Sequence, residues 1–142
     1  MISYRSDREG GESPYEINIT LFSALNREDN GEEMDLQIRR LLAARNISLV
    51  LQGVPAAYLL GLIGKRNDVE AALANKSKRA INRTGLDYEL LVRSYEDPEN
   101  KLYRIRDLGG LVLIRQRHRA FHPNGPQKVL KLSPNVFTVL RT

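Results

Sequence analysis

A helical pattern followed at once by a short apolar run constrains the fold of this chain more than any other feature. Asn30 and Glu33 have the spacing of a capping box, which predicts that a helix starts there. Apolar residues recur every three to four positions from Met34 to Leu42 and predict a helix over residues 31–45. The run Ile47–Leu51 is typical of a strand that is buried on both faces. Together the two segments predict an α/β fold with parallel strands.

The stretch from Asn46 to Gly64 carries no charge and is nineteen residues long, close to the length that spans a bilayer. Polar side chains together with Gly53 and Pro55 interrupt it, so a buried strand and a loop are the better interpretation. Charged residues near the start of the chain occupy the region where a secretory signal would be apolar. We therefore expect no membrane association and a cytoplasmic location.

The C-terminal residues have the pattern of a β-hairpin. A turn signal at His122–Pro126 precedes two β-type runs, Val129–Leu132 and Val136–Leu140. A lone hairpin is only marginally stable, so these runs predict the beginning of a larger β unit. Shorter helices are predicted over residues 56–63, 68–75 and 86–95.

Residues 99–119 allow two interpretations, because Gly109 and Gly110 lie within them. A helix would lose about 1 kcal/mol for each glycine relative to alanine. The alternative is a hairpin with a Gly-Gly turn between residues 103–106 and 111–115. Apolar residues before the glycines alternate only briefly, which favours the helix.

Composition limits the chemistry that this chain can perform. It contains no Cys, which excludes disulfides, thiolate metal sites and a Cys nucleophile. Its two imidazoles, His118 and His122, lie four residues apart beside Pro123. This position favours roles in a turn or a cap over a metal pair. We expect no metal site and no cofactor.

Charge is distributed unevenly along the chain. Residues 1–35 contain nine acidic and three basic side chains, whereas residues 36–142 contain eight acidic and nineteen basic ones. A basic surface attracts phosphate esters, nucleic acid or a membrane. The arginines between positions 104 and 119 fall on opposite sides of the predicted helix, and few aromatic residues are available for base stacking. A basic interaction module that binds nucleic acid or another anion is therefore the alternative function, and no nucleic-acid partner is expected.

Two places in the sequence could hold a substrate. Residues 76–83 contain four cations and could bind a phosphate group, although a solvated loop is the competing interpretation. Glu16 lies beside Tyr15 within an apolar segment and could be catalytic or substrate-binding. Glycosidic chemistry needs a pair of carboxylates, and spacing alone does not identify a partner for Glu16.

Four stretches together resemble the C-terminal part of sucrose phosphorylases and their relatives in glycoside hydrolase family 13. These stretches are SPYEINITLFSAL (Ser13–Leu25), LVLQGVPAAYLLGLIGKRND (Leu49–Asp68), KRAINR (Lys78–Arg83) and RAFHPNGPQKVLKL (Arg119–Leu132). Their order and spacing make the likeness more specific than any one motif. The relatives include phosphorylases of sucrose 6-phosphate, glucosylglycerol and glucosylglycerate.

The resemblance implies a (β/α)₈ TIM barrel followed by a small β domain. It places residues 1–121 in the C-terminal part of the barrel, with 33–45 as its seventh helix and 48–52 as its eighth strand. Residues 86–119 become the eighth helical region, which favours helix at the Gly-Gly segment. Residues 122–142 become the start of a truncated C-terminal β domain.

The resemblance also implies a retaining mechanism in which an α-glucoside and inorganic phosphate give glucose 1-phosphate. An Asp nucleophile, a Glu acid–base and a second Asp carry out this reaction in the family. All three are implied to lie upstream of Met1, so we expect no catalytic residue here and an inactive isolated chain. The α-glucoside and phosphate would be partners of the full-length parent.

Three residues are implied to contact substrate. Arg79 matches the arginine of the family's GR-x-INR stretch, which lines the glucosyl site, although Lys78 replaces the usual glycine. Tyr15 and Glu16 match the mobile loop that shapes the acceptor site. Sucrose phosphorylases tend to have Gln at the position of Glu16, so the acid points to relatives acting on other glucosides. One barrel unit cannot close a barrel, and we expect the isolated chain to be poorly soluble or oligomeric.

Overall fold

A computed structural model describes residues 1–27 and 29–142 of the chain. It contains α-helices, two short 3₁₀ turns and two separate antiparallel hairpins. In chain order the elements are β1 (Ile2–Ser6), β2 (Glu12–Ile17), α1 (Leu21–Leu25), α2 (Met34–Val50), α3 (Leu59–Leu62), α4 (Val69–Ala74), a 3₁₀ turn (Lys78–Asn82), α5 (Tyr88–Glu96), α6 (Lys101–Ile105), α7 (Asp107–Arg117), a 3₁₀ turn (Arg119–Phe121), β3 (Gln127–Ser133) and β4 (Val136–Arg141).

The core lies where α1, α6 and α7 pack against α2. Phe22 of α1 and Leu41 of α2 are completely buried. Leu49 of α2 and Leu108 of α7 belong to the same cluster, so the helical period of α2 continues to its last turn. Burial of this apolar stripe stabilises α2, because most helices are held by tertiary packing.

The predicted strand at residues 48–52 is wrong in this structure. Helix α2 runs through Val50, and a loop follows it. A parallel strand needs hydrogen-bonded neighbours, and the described residues contain only antiparallel pairs. Continuing the helix pairs the backbone of this segment and buries Leu49. The structure is therefore a mixture of helices with small sheets, and a barrel unit is not visible in the described residues.

Two local predictions at the start of the chain are also corrected. The capping box is not formed, because Glu33 is the N-cap of α2 without a side-chain cap, and Asn30 accepts a hydrogen bond from the Glu32 amide at 3.2 Å. The polar residues 1–14, with their Gly and Ser, have the composition of a loop and predict one, but they contain most of the β1–β2 hairpin. Asp7 stabilises the turn of this hairpin, because its carboxylate accepts a hydrogen bond from the backbone amide of Gly11 at 2.7 Å.

Other predicted elements are confirmed. Helix α7 passes through the Gly-Gly pair. Helix α6 precedes α7, and a break at Arg106 separates the two helices. Helices α3, α4 and α5 lie within or close to their predicted ranges. Strands β3 and β4 form the predicted C-terminal hairpin, with Val129 opposite Val139. Of the helices that the structure describes, none is long and apolar enough to cross a membrane.

Candidate functional site

The three residues implied to contact substrate lie together in the structure. The Arg79 Nε donates to Glu16 Oε2 at 2.7 Å, and its Nη2 donates to the Tyr15 hydroxyl at 3.2 Å. Tyr15 and Glu16 are in the last residues of β2, whereas Arg79 is in the 3₁₀ turn Lys78–Asn82. We call this group the Arg79 cluster (Tyr15, Glu16 and Arg79).

Backbone anchors hold the two segments of the Arg79 cluster against each other. The Lys78 Nζ donates to the carbonyl of Ile2 in β1 at 2.9 Å. The Asn82 side chain donates to the carbonyl of Ile19 at 3.2 Å. Hydrogen bonds therefore hold the hairpin to the chain on both sides of Arg79, and the basic segment 76–83 contains the 3₁₀ turn Lys78–Asn82.

The electrostatics of the Arg79 cluster keep its guanidinium charged and oriented. The hydrogen bond from Arg79 to Glu16 and the attraction between their charges raise the pKa of Arg79. The side chain of Arg79 is 47% exposed, whereas that of Glu16 is 27% exposed. The two hydrogen bonds use the Nε hydrogen and one Nη2 hydrogen of Arg79. A guanidinium has five donor hydrogens, so hydrogens on Nη1 and Nη2 remain for a ligand.

The other sequence candidates are dispersed. The His122 Nδ1 accepts the Asn124 amide at 3.2 Å, as expected of a turn residue. Arg104 forms an ion pair with Asp35, and Arg115 is buried. Within residues 1–27 and 29–142, no group of three or more His, Asp or Glu side chains is placed to hold a metal ion.

Sequence reasoning missed residues that position the Arg79 cluster. The Asn67 side-chain oxygen accepts a hydrogen bond from the Thr20 backbone amide at 2.8 Å, and the Asn67 backbone amide donates to the Ser23 hydroxyl at 2.9 Å. The buried Asn18 donates to the Ser3 hydroxyl at 2.7 Å, which ties β1 to the end of β2. For Asn18 the available signal was a polar residue between Ile17 and Ile19, which does not reveal the bonding partner; Asn67 lies between two charged residues and gives no such signal.

The chain is similar over nearly its whole length to glucosylglycerate phosphorylases. It is 36% identical over 95% of its length to a glucosylglycerate phosphorylase of Allomeiothermus silvanus, and 29% identical over 100% of its length to one of Escherichia coli. It covers 24% and 25% of these two proteins. A crystal structure of sucrose 6F-phosphate phosphorylase from Thermoanaerobacter thermosaccharolyticum aligns with a TM-score of 0.65 and 27% identity, covering 88% of this chain and 22% of that one. No family model matches the chain.

These matches define a class of protein, the glycoside phosphorylases. The resemblance drawn from the sequence motifs is confirmed: the chain is a sequence of the sucrose-phosphorylase-like group of glycoside hydrolase family 13 and corresponds to the C-terminal part of such enzymes. It spans about a quarter of the length of the curated relatives it matches.

Proposed function

We propose that this chain is the C-terminal part of a retaining glycoside phosphorylase that transfers a glucosyl unit from an α-glucoside to inorganic phosphate. The Arg79 cluster is the observation that carries the proposal, because it brings together residues 63 and 64 positions apart in the sequence. The similarity to glucosylglycerate and sucrose phosphorylases supports the reaction class.

In this proposal Arg79 binds the substrate, and Glu16 and Tyr15 orient the Arg79 side chain. A guanidinium presents a planar fork of donors that suits sugar hydroxyls, carboxylates and phosphates. Glu16 occupies the Nε edge and fixes the direction of the fork, leaving the Nη1 edge for substrate. The ion pair also offsets the charge of Glu16, so that an anionic substrate can approach.

Glucosylglycerate is the substrate to test before the others. Three glucosylglycerate phosphorylases match 95–100% of the chain, whereas three sucrose phosphorylases match 49–89% of it. Glucosylglycerate carries a carboxylate, which can form paired charge-assisted hydrogen bonds with the free edge of Arg79. The acidic residue at Glu16 agrees with an acceptor other than fructose.

The experiment is a chimera in which this chain replaces the matching region of the Escherichia coli glucosylglycerate phosphorylase. We expect it to release glucose 1-phosphate from glucosylglycerate and phosphate. Arg79→Ala should lower kcat/KM roughly 100-fold, the scale of losing one charged donor in an active site. The matched control is Arg93→Ala, because Arg93 is a largely exposed arginine of α5. Equal losses in both variants, or none in Arg79→Ala, would remove Arg79 from the site.

The same proposal assigns no catalytic residue to this chain. The isolated chain should therefore give no glucose 1-phosphate above the buffer blank under conditions in which the chimera turns over. Turnover by the isolated chain would contradict the assignment of the nucleophile and the acid–base to other parts of the parent.

The proposed organisation puts residues 1–121 in the catalytic barrel and residues 122–142 at the start of a β domain, in a cytoplasmic enzyme. The two parts meet where the Gly53 amide donates to the Pro123 carbonyl at 3.1 Å and the Gln52 amide to the Gln127 side chain at 2.7 Å. Limited proteolysis of the chimera tests the boundary, because a domain junction should be cut near residues 122–126 before either side is degraded.

A further inference from the structure

A cavity of about 540 Å³ lies away from the Arg79 cluster and shares no residue with it. It is enclosed by the C-terminal end of α2, the loop at 54–57 and the C-terminal end of α7. Its size is within the range of small-molecule sites in proteins. Its apolar walls include Leu49, Val54, Leu62, Leu108, Val112 and Phe121.

The charged groups around this cavity are all of one sign. Arg45, Arg115, Arg117 and Arg119 line it, and no Asp or Glu is among its lining residues. The Arg115 guanidinium is already bonded, because it donates to the Leu49 carbonyl in the last turn of α2 and, in the loop after the helix, to the Gly53 carbonyl at 2.6 Å. Arg117 and Arg119 are exposed at the rim.

Arg45 is a partly buried guanidinium of this cavity that has no counter-charge. Its Nε is buried and has no hydrogen-bond partner, and it forms no ion pair with any described residue. Gly61 makes room for it, because a Cβ at that position would overlap the Arg45 Nη2. Burial lowers the pKa of Arg45, since the charged form loses hydration. A partly buried cation without a counter-charge has lost some of its hydration, and an acceptor supplied by a ligand would offset that loss.

We propose that this cavity binds a small organic monocarboxylate, with the carboxylate on Arg45 and an apolar body against Leu49, Leu108 and Val112. A planar carboxylate suits a guanidinium that has unused donors. A bare phosphate ion would leave the apolar walls uncovered, and a neutral apolar molecule would leave the Arg45 guanidinium without a counter-charge. The site is independent of the proposed phosphorylase activity.

The test compares two probes that differ in the anionic group, 4-phenylbutyrate and 4-phenyl-1-butanol, by calorimetric titration of the chain. We expect saturable 1:1 binding of the acid and binding of the alcohol that is weaker by roughly tenfold or more. Arg45→Met should abolish this preference, and Arg93→Met, far from the cavity lining, should keep it. In the ¹H–¹⁵N spectrum, the Arg45 Nε–H resonance should shift with the acid and stay in place with the alcohol.

Arg45→Met should fold at least as well as the wild type, because it removes an unpaired, partly buried charge and keeps a side chain of similar volume. Equal affinities for acid and alcohol would overturn the proposal, as would tight binding of the acid by Arg45→Met. A stationary Arg45 Nε–H resonance at saturating acid would overturn it without reference to any variant. None of these results depends on whether the chimera has phosphorylase activity.

Discussion

Replacing Gly64 by alanine should destabilise this chain more than any loop substitution of similar size. Gly64 has φ +61°, a left-handed conformation that costs other residues about 1–2 kcal/mol. A Cβ there would lie 2.6 Å from Ile105 Cδ1 and 3.2 Å from Phe22 Cδ2, both in the core. Overpacking of this kind costs about 1–3 kcal/mol. The sum is about 2–5 kcal/mol, or a fall in Tm of about 6–15 °C at ~3 °C per kcal/mol for a domain of this size.

Two other glycines separate the causes of this effect. Gly31 has φ +65° but open space around its would-be Cβ, so Gly31→Ala should show the backbone cost alone, about 1–2 kcal/mol. Gly109 lies inside α7 with open space around it, so Gly109→Ala should stabilise by about 1 kcal/mol. Urea titrations followed by circular dichroism measure all three. Equal free energies of unfolding for Gly64→Ala and Gly31→Ala would refute the packing argument.

Three further changes test the bonds that hold the fold. Arg115→Met should lower the free energy of unfolding by about 3 kcal/mol in a urea titration, because it removes charged hydrogen bonds to the carbonyls of Leu49 in α2 and of Gly53 in the loop that follows; an unchanged midpoint would contradict this. Asp68→Ala removes the N-cap of α4, which accepts the Ala71 amide at 2.8 Å, and should cost about 1 kcal/mol by the same titration. The hydrogen bond from Arg40 lowers the pKa of Glu32 from its ordinary 4.5, so this pair stabilises the fold above that pH. Unfolding midpoints measured from pH 7 down to pH 3 should show the advantage of wild type over Glu32→Gln shrinking below pH 4.5; a constant difference would contradict the sign.

Local patterns predicted the helices and the C-terminal hairpin well, because caps, period and turns act over a few residues. Helices α4 and α5 begin after Asp68 and Asp87, whose side chains cap them. The apolar run Ile47–Leu51 was misread because five apolar residues fit a strand and a buried helix equally well. What decided between them was the burial of Leu49 beside α7, a contact with residues about sixty positions away.

The site was harder to predict than the fold. No local sequence pattern links Tyr15 to Arg79. The family resemblance identified both residues but did not predict that they would be hydrogen-bonded to each other. The ion pair with Glu16 explains why Arg79 stays oriented on an exposed turn. Its anchors, such as Asn82 on the Ile19 carbonyl, are side chain to backbone bonds that depend on tertiary approach. The periodicity of apolar residues along the sequence carries no information about such contacts.

The uneven charge along the chain also has a structural explanation. Acidic residues of the first 35 positions pair with arginines of the remainder. The pairs are Glu16–Arg79, Glu32–Arg40 and Asp35–Arg104. Part of the positive charge that suggested a nucleic-acid partner is therefore balanced within the chain, and the exposed pairs are screened further by salt. Arg45 differs from these arginines, because it lies in an apolar cavity that no carboxylate of the described residues lines. An anion supplied from outside would complete at Arg45 the pairing that the N-terminal acids provide elsewhere.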